Sequence, residues 1–182
     1  MLHRPRRNRV TSFGTIEASP HRGRYFGNRG DLHRADGTLG RNWRVGRWIT
    51  CTLEDRNGYR VTFDRPGSYY PLFFADEAVA LAAGHHPCAQ CRRDDFLCFC
   101  AYWRQAHGLP TDRCVSADEI DRALHPARID RNNRQVARTV PLGDLPDGTF
   151  VTPSDAPEVP FLPWEDSLHP WSHGGYAPPC AA

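Results

Sequence analysis

The sequence predicts an α+β fold with a small antiparallel sheet and two or three helices. Short strand-like segments separated by glycine-rich and proline-rich turns occupy residues 11–74, and capped helical patterns follow over residues 77–125. With 182 residues and 40% hydrophobic side chains, the chain is long enough to bury a core. It has no apolar run of about 18 residues and no apolar secretory segment at the N-terminus, so we expect no membrane span and a cytoplasmic protein.

Period-two alternation and turn residues locate the strands. The predicted strands are residues 11–18, 43–54, 59–63 and 69–74. From Trp48 onward apolar and polar residues alternate, which predicts a strand that carries Cys51. Asn57-Gly58 favours a hairpin turn because both residues tolerate positive φ. Residues 22–40 hold five glycines and predict loops and turns.

The helices are predicted from their caps and from apolar spacing. The predicted helices are residues 77–83, 94–107 and 116–125. Asp76 is placed to cap the first helix and Gly84 to close it. Ser116 and Glu119 have the spacing of a capping box at the start of the third helix.

Arginine is concentrated at the front of the chain. All 23 positive side chains are arginine, and the net charge is +8 over residues 1–48, zero over 49–142 and −6 over 143–182. Arginine binds phosphate in a planar, bidentate fork, so the basic front predicts contact with nucleic acid. A solvated basic surface is the alternative. The organisation predicted along the chain is a basic tail at 1–20, a core at 21–115, and a helix with an irregular segment packed on the core at 116–182.

The seven cysteines indicate a metal site. Their odd number and the lack of a secretory segment argue against a disulfide framework. Cys88 and Cys91 form a C-x-x-C turn, a spacing that presents two thiolates to one ion. We therefore predict bound zinc, with a redox pair as the alternative. Cys98 and Cys100 point to different faces of a helix and are expected to be core residues.

The stretch ADEAVALAAGHHPCAQCRRDD, residues 75–95, resembles the second half of the zinc-binding domain of the Ada-type DNA alkylation-repair family. It has that family's short alanine-rich helix, the glycine, and the Pro-Cys-x-x-Cys run that ends at Cys91, with His86 where the family commonly has arginine. The resemblance extends weakly over residues 48–95. It implies a domain that holds zinc through four cysteine thiolates, binds DNA and accepts a methyl group from a damaged DNA phosphate on one thiolate.

The Ada-type family has a first, close pair of cysteines before this helix, and this sequence has only Cys51 there. The expected zinc ligands are Cys51, Cys88, Cys91 and His33, with His85 and His86 as alternatives to His33. A buried strand cysteine is the alternative interpretation of Cys51, and an ordinary loop histidine that of His33. If water filled the fourth position, the open site would be catalytic.

The leading hypothesis is a zinc-binding protein that binds DNA or takes part in DNA repair. The residues expected to contact nucleic acid are Arg24, Asn28, Arg29, Arg92 and Arg93. One alternative is a zinc-dependent hydrolase or methyl-transfer enzyme that acts on nucleic acid. Another is a structural zinc domain that binds a second protein.

Overall fold

The computed structural model describes residues 5–53 and 67–181, which form a six-stranded mixed sheet, three helices and a smaller antiparallel sheet. The strands are β1 (Arg7–Val10), β2 (Ile16–Ala18), β3 (Tyr25–Asn28), β4 (Ile49–Thr52), β5 (Leu72–Phe74), β6 (His86–Pro87), β7 (Phe161–Trp164), β8 (Ser167–Ser172), β9 (Gly175–Tyr176) and β10 (Cys180–Ala181). The helices are α1 (Glu77–Ala82), α2 (Arg93–Ala106) and α3 (Ala117–Arg128), with a 3-10 helix at Leu142–Asp144. The predicted α+β class is confirmed.

The large sheet is more complex than the predicted antiparallel one. Its strand order is β2-β1-β5-β3-β4-β6. Strand β1 pairs with β5 in parallel, and β4 pairs with β6 in parallel at the far edge, while the other neighbours are antiparallel. The hairpin predicted around Asn57-Gly58 lies outside the described residues. Cys51 lies in β4, and Cys88 directly follows β6 at this edge of the sheet.

The front of the chain differs most from the expectation. Strand β2 lies within the strand predicted over residues 11–18, whereas β1 lies where only a basic tail was predicted. Val10 of β1 and Ile16 of β2 are both buried in the core. The glycine-rich segment predicted as loop contains β3, a central strand of the sheet. Strand β3 has four residues, Tyr-Phe-Gly-Asn, which show little alternation of apolar and polar side chains. Its pairing with β4 and β5 therefore defines it, and its own sequence does not.

Gly27 in β3 permits a close approach by Phe74. A Cβ built at Gly27 would lie 2.1 Å from Cε2 of Phe74, a fully buried ring. We expect Gly27→Ala to lower the free energy of unfolding by about 2–3 kcal/mol, because the core must shift to admit the methyl group. Urea unfolding measures this. Gly143→Ala, where a Cβ meets nothing within 4 Å, is the control and should change stability by less than about 0.5 kcal/mol. Equal stability of the two variants would contradict the packing argument.

The helices lie where their caps predict them. Asp76 Oδ1 accepts from the Val79 amide at 2.9 Å, and Gly84 follows α1 with φ of +82°. Ser116 Oγ accepts from the Glu119 amide at 3.2 Å, and α3 continues past the predicted end to Arg128.

Two apolar cores hold the elements together. The first lies between the large sheet and α1 and includes Trp171 from β8, so the C-terminal sheet docks on it. Tyr176 adds a hydrogen bond from its hydroxyl to Asp76 Oδ2 at 2.8 Å. The second core joins α2 and α3 through Phe96, Cys100, Val115 and Ile120. The C-terminal part therefore contacts the first core through a small sheet.

Candidate metal centre

Parallel pairing of β4 with β6 sets two cysteines side by side. Thr50 aligns with Pro87, and the Cys88 amide donates to the Thr50 carbonyl at 2.9 Å. The next residues along the two chain segments are Cys51, in β4, and Cys88, directly after β6. Cys91 lies in the turn that leads into α2, and this turn is closed by the Arg92 amide donating to the Cys88 carbonyl at 3.1 Å. Strand β4, the end of β6 and the turn before α2 thus converge at one edge of the sheet.

The three sulfur atoms form a cluster that could hold a metal ion. The Sγ atoms of Cys51, Cys88 and Cys91 all lie within 4.8 Å of one another, and each residue is half-buried. Sulfurs around a tetrahedral ion with bonds of about 2.3 Å are about 3.8 Å apart, so small movements suffice to close the cluster on a metal. Among residues 5–53 and 67–181 this is the one group of three such ligands at this spacing.

The local backbone favours negative charge on one of the sulfurs. A hydrogen bond from Cys51, helped by the backbone amides of Cys91 and Gln90, lowers the pKa of Cys88 to about 5. The same hydrogen bond and burial raise the pKa of Cys51, which keeps its proton when no cation is present. Amides that point at a sulfur are the hydrogen bonds expected around a thiolate that binds metal. The donor set therefore fits a soft divalent cation.

Comparison of this chain with protein-family models, with curated proteins and with solved structures found no match. In the part of the chain that the structure describes, no helix is both long and apolar enough to cross a membrane.

His33 lies outside the cysteine cluster. Its Nδ1 pairs with Asp31 Oδ1 at 2.8 Å, and its ring packs on Tyr70 with centroids 4.8 Å apart. The hydrogen bond from His33 is the main cause that lowers the pKa of Asp31. The fourth ligand expected at His33 is thus not brought to the three sulfurs, because Asp31 and the core hold this ring elsewhere.

His85 and His86, the alternatives to His33, also face the interior. His85 Nε2 accepts from Arg29 Nε at 3.2 Å, and burial lowers the pKa of His85 well below its usual range. His86 Nδ1 contacts the Pro87 carbonyl at 2.8 Å, and its Nε2 contacts Asp121 at 3.2 Å. Both rings anchor the strand that leads to Cys88.

Three of the five residues expected at a nucleic-acid surface are internal. Asn28 is buried and accepts from the Gly30 amide at 2.6 Å. Arg29 is 1% exposed, and Arg92 is 4% exposed and bound to Glu77 and Asp95. These side chains stabilise the fold instead of reaching a partner. The remaining two, Arg24 and Arg93, are exposed.

A buried charged network, missed from the sequence, supports the cysteine-bearing strands. Two guanidinium groups lie over the Trp48 ring, with Arg29 Cζ 4.1 Å and Arg128 Cζ 5.2 Å from the ring centroid. Asp121 Oδ1 accepts from Arg128 Nη2 at 3.0 Å and from the Trp48 amide at 3.2 Å. Since Trp48 precedes β4 and His86 lies in β6, Asp121 holds both strands in register. The residues are far apart in sequence, so no local pattern could have joined them.

Proposed function

We propose that this protein binds zinc through Cys51, Cys88 and Cys91 and that it acts on or with DNA. The observation that carries the proposal is the convergence of the three sulfurs at the β4–β6 edge. In this proposal the metal joins the large sheet to the turn before α2 and so organises the surface around it.

The chemistry of the cluster supports zinc. Thiolates are soft ligands that select zinc over the oxygen-binding cations calcium and magnesium. The three cysteines are free thiols, and the amides around Cys88 favour its thiolate form. The resemblance of residues 75–95 to the Ada-type zinc-binding domain agrees with this assignment.

Charge near the cluster supports a nucleic-acid partner. The front of the chain carries a net charge of +8 over residues 1–48. Arg92 packs over the Tyr25 ring at 4.5 Å, so the segments that contain Arg24 and Arg93 meet beside the Cys91 turn. Both arginines are exposed and available to a phosphate backbone.

We expect binding to duplex DNA to weaken steeply as salt rises from about 50 to about 200 mM, because each phosphate contact releases counterions. Fluorescence anisotropy with a labelled duplex measures the affinity. The double variant Arg24→Ala, Arg93→Ala should bind more weakly and reduce the slope of log affinity against log salt by about two. Arg22→Ala, at an exposed arginine of the same front segment, is the control for loss of charge alone. An unchanged slope in the double variant would contradict the assigned surface.

A further inference from the structure

An arginine-lined cleft opens on the side of the fold formed by β1, the segment after His33 and the turn after α3. Its volume is about 490 Å³, within the size range of sites that hold one small molecule or one nucleotide unit. The residues that line it include Arg7, Arg34, Arg41, Trp43 and Asn133. It is built from residues other than the three cysteines.

The lining carries three positive charges and no acidic side chain. Arg7 is held by a hydrogen bond from Nη2 to the Ile16 carbonyl at 3.1 Å. Asp36 interacts electrostatically with Arg34 and offsets part of its charge, and its carboxylate also accepts from the Thr38 amide at 2.9 Å and hydroxyl at 2.6 Å. Arg41 is exposed and makes no side-chain hydrogen bond or ion pair with the described part of the chain. The lining of the cleft therefore carries a net positive charge, which Asp36 offsets only at Arg34.

An aromatic ring lies in this basic cleft in a fixed orientation. Trp43 Nε1 donates to Asn133 Oδ1 at 3.0 Å, and its ring meets His125 edge-on with centroids 4.5 Å apart. The turn that carries Asn133 is itself held by Asp130, whose Oδ1 accepts from the amides of Asn132 at 2.7 Å and Arg134 at 2.9 Å. A ring held on two sides is a ready platform for a planar ligand, because little side-chain freedom is lost when the ligand stacks.

A second cleft lacks this imbalance. It lies beside α3, has a volume of about 790 Å³ and is lined in part by Arg47, Arg122, Asp118 and Asp121. Arg47 pairs with Asp118, and Arg122 Nε donates to the Asp118 carbonyl at 3.2 Å. Positive and negative side chains are balanced there. The net positive charge of its lining thus distinguishes the cleft at Trp43 from the cleft beside α3.

We propose that the Trp43 cleft binds a nucleoside phosphate with an unpaired base, with the base stacked on Trp43 and the phosphate held by Arg34 and Arg41. Stacking platforms combined with arginine-lined grooves are the usual means of binding single-stranded nucleic acid. The cleft holds the volume of a nucleotide unit, which suits an extruded or single-stranded base better than a paired helix. The inference rests on the proposed nucleic-acid function and deepens it by naming a surface and a ligand chemistry.

The test uses fluorescence anisotropy of the full chain with a short labelled oligothymidine. Arg34→Ala with Arg41→Ala should weaken binding at least about tenfold, and Trp43→Ala should weaken it about tenfold through lost stacking. Trp43→Phe should recover most of the affinity, since it keeps a ring. The control, Arg22→Ala with Arg138→Ala, removes the same charge at exposed arginines outside the cleft and should change affinity less than about threefold. Near-ultraviolet circular dichroism checks that each variant is folded.

Competition with thymidine 5′-monophosphate identifies the source of the ligand. Displacement of the oligomer by the mononucleotide supports the cleft as a site for a free nucleotide. Binding that depends on the cleft but resists the mononucleotide supports a strand as the ligand. Wild-type affinity for oligothymidine in both the arginine and the Trp43→Ala variants would overturn the inference.

The two proposals fail in different ways. Loss of duplex binding in Arg24→Ala, Arg93→Ala together with unchanged oligothymidine binding in the cleft variants would overturn this inference and leave the proposed function standing. Binding of oligothymidine that depends on the cleft, without any binding of duplex, would overturn the proposed duplex surface and support the cleft.

Discussion

Cys88→Ser is expected to abolish metal binding, with zinc content falling from about one ion per chain to near zero. Cys88 has side-chain hydrogen bonds with both other cysteines of the cluster, and the hydrogen bond from Cys51 lowers the pKa of Cys88 to about 5. Because metal binding and folding are coupled in structural zinc sites, the variant should also lose more than about 4 kcal/mol of the free energy of unfolding. Elemental analysis of purified protein measures the first effect, and urea unfolding the second.

Two further cysteine variants make this test specific. Cys98→Ser changes an exposed thiol of α2 that is not in the cluster, and it should retain full zinc content. Cys51→Ala should lose zinc if Cys51 is the third ligand. Full zinc in Cys88→Ser would refute the metal centre. Full zinc in Cys51→Ala alone would make Cys51 a packing residue of β4.

Asp121→Asn is expected to lower the free energy of unfolding at pH 7 by about 3–5 kcal/mol. Asp121 is 6% exposed, and its carboxylate is the acceptor for Arg128, His86 and the Trp48 amide. Loss of its charge leaves the buried guanidinium groups of the network without a negative partner. The measurement is urea unfolding, with the midpoint and slope compared between variant and wild type.

Asp118→Asn is the matched control, one turn earlier on the same helix. Asp118 pairs with Arg47 on the surface, where both side chains are more than half exposed, so its loss should change stability by less than about 1 kcal/mol. Similar losses in the two variants would contradict the special role of the buried network.

The stability contributed by Asp121 should depend on pH in a definite direction. Burial alone would raise the pKa of Asp121, but hydrogen bonds from His86, Arg128 and the Trp48 amide outweigh burial and hold the pKa below its usual range. A depressed carboxyl pKa contributes stability above the ordinary value of about 4, and this is lost as pH falls through the lower value of the folded state. The gap between wild type and Asp121→Asn should therefore narrow below about pH 4.

Local chemistry explains which elements could be predicted. The caps at Asp76 and Ser116 and the turn at Gly84 act within a few residues, so α1 and α3 were predictable from sequence. Strand β3 was not, because it is held by β4 and β5 and by the space that Gly27 leaves for Phe74. These partners are set by the whole fold.

The arginines expected at the nucleic-acid surface also include some that the sequence placed correctly and some that it did not. An arginine is expected at the surface when only the sequence is known, and Arg24 and Arg93 are indeed exposed. Arg29 is buried under the Trp48 ring, and it donates from Nη1 to the Gly14 carbonyl and from Nε to His85. No pattern near Arg29 reveals such partners, since they come from separate parts of the chain.

At the metal centre, the sequence by itself determined the Cys88–Cys91 pair, because a C-x-x-C turn brings two sulfurs together through local backbone geometry. It also predicted Cys51 as the third ligand and His33 as the fourth, without the means to show whether either side chain reaches the pair. Only the tertiary structure decided this. Parallel pairing of β4 with β6 carries Cys51 to the pair, whereas the hydrogen bond to Asp31 holds His33 away from it. Long-range strand pairing depends on the packing of the whole core, and a residue's own neighbours in sequence do not encode it.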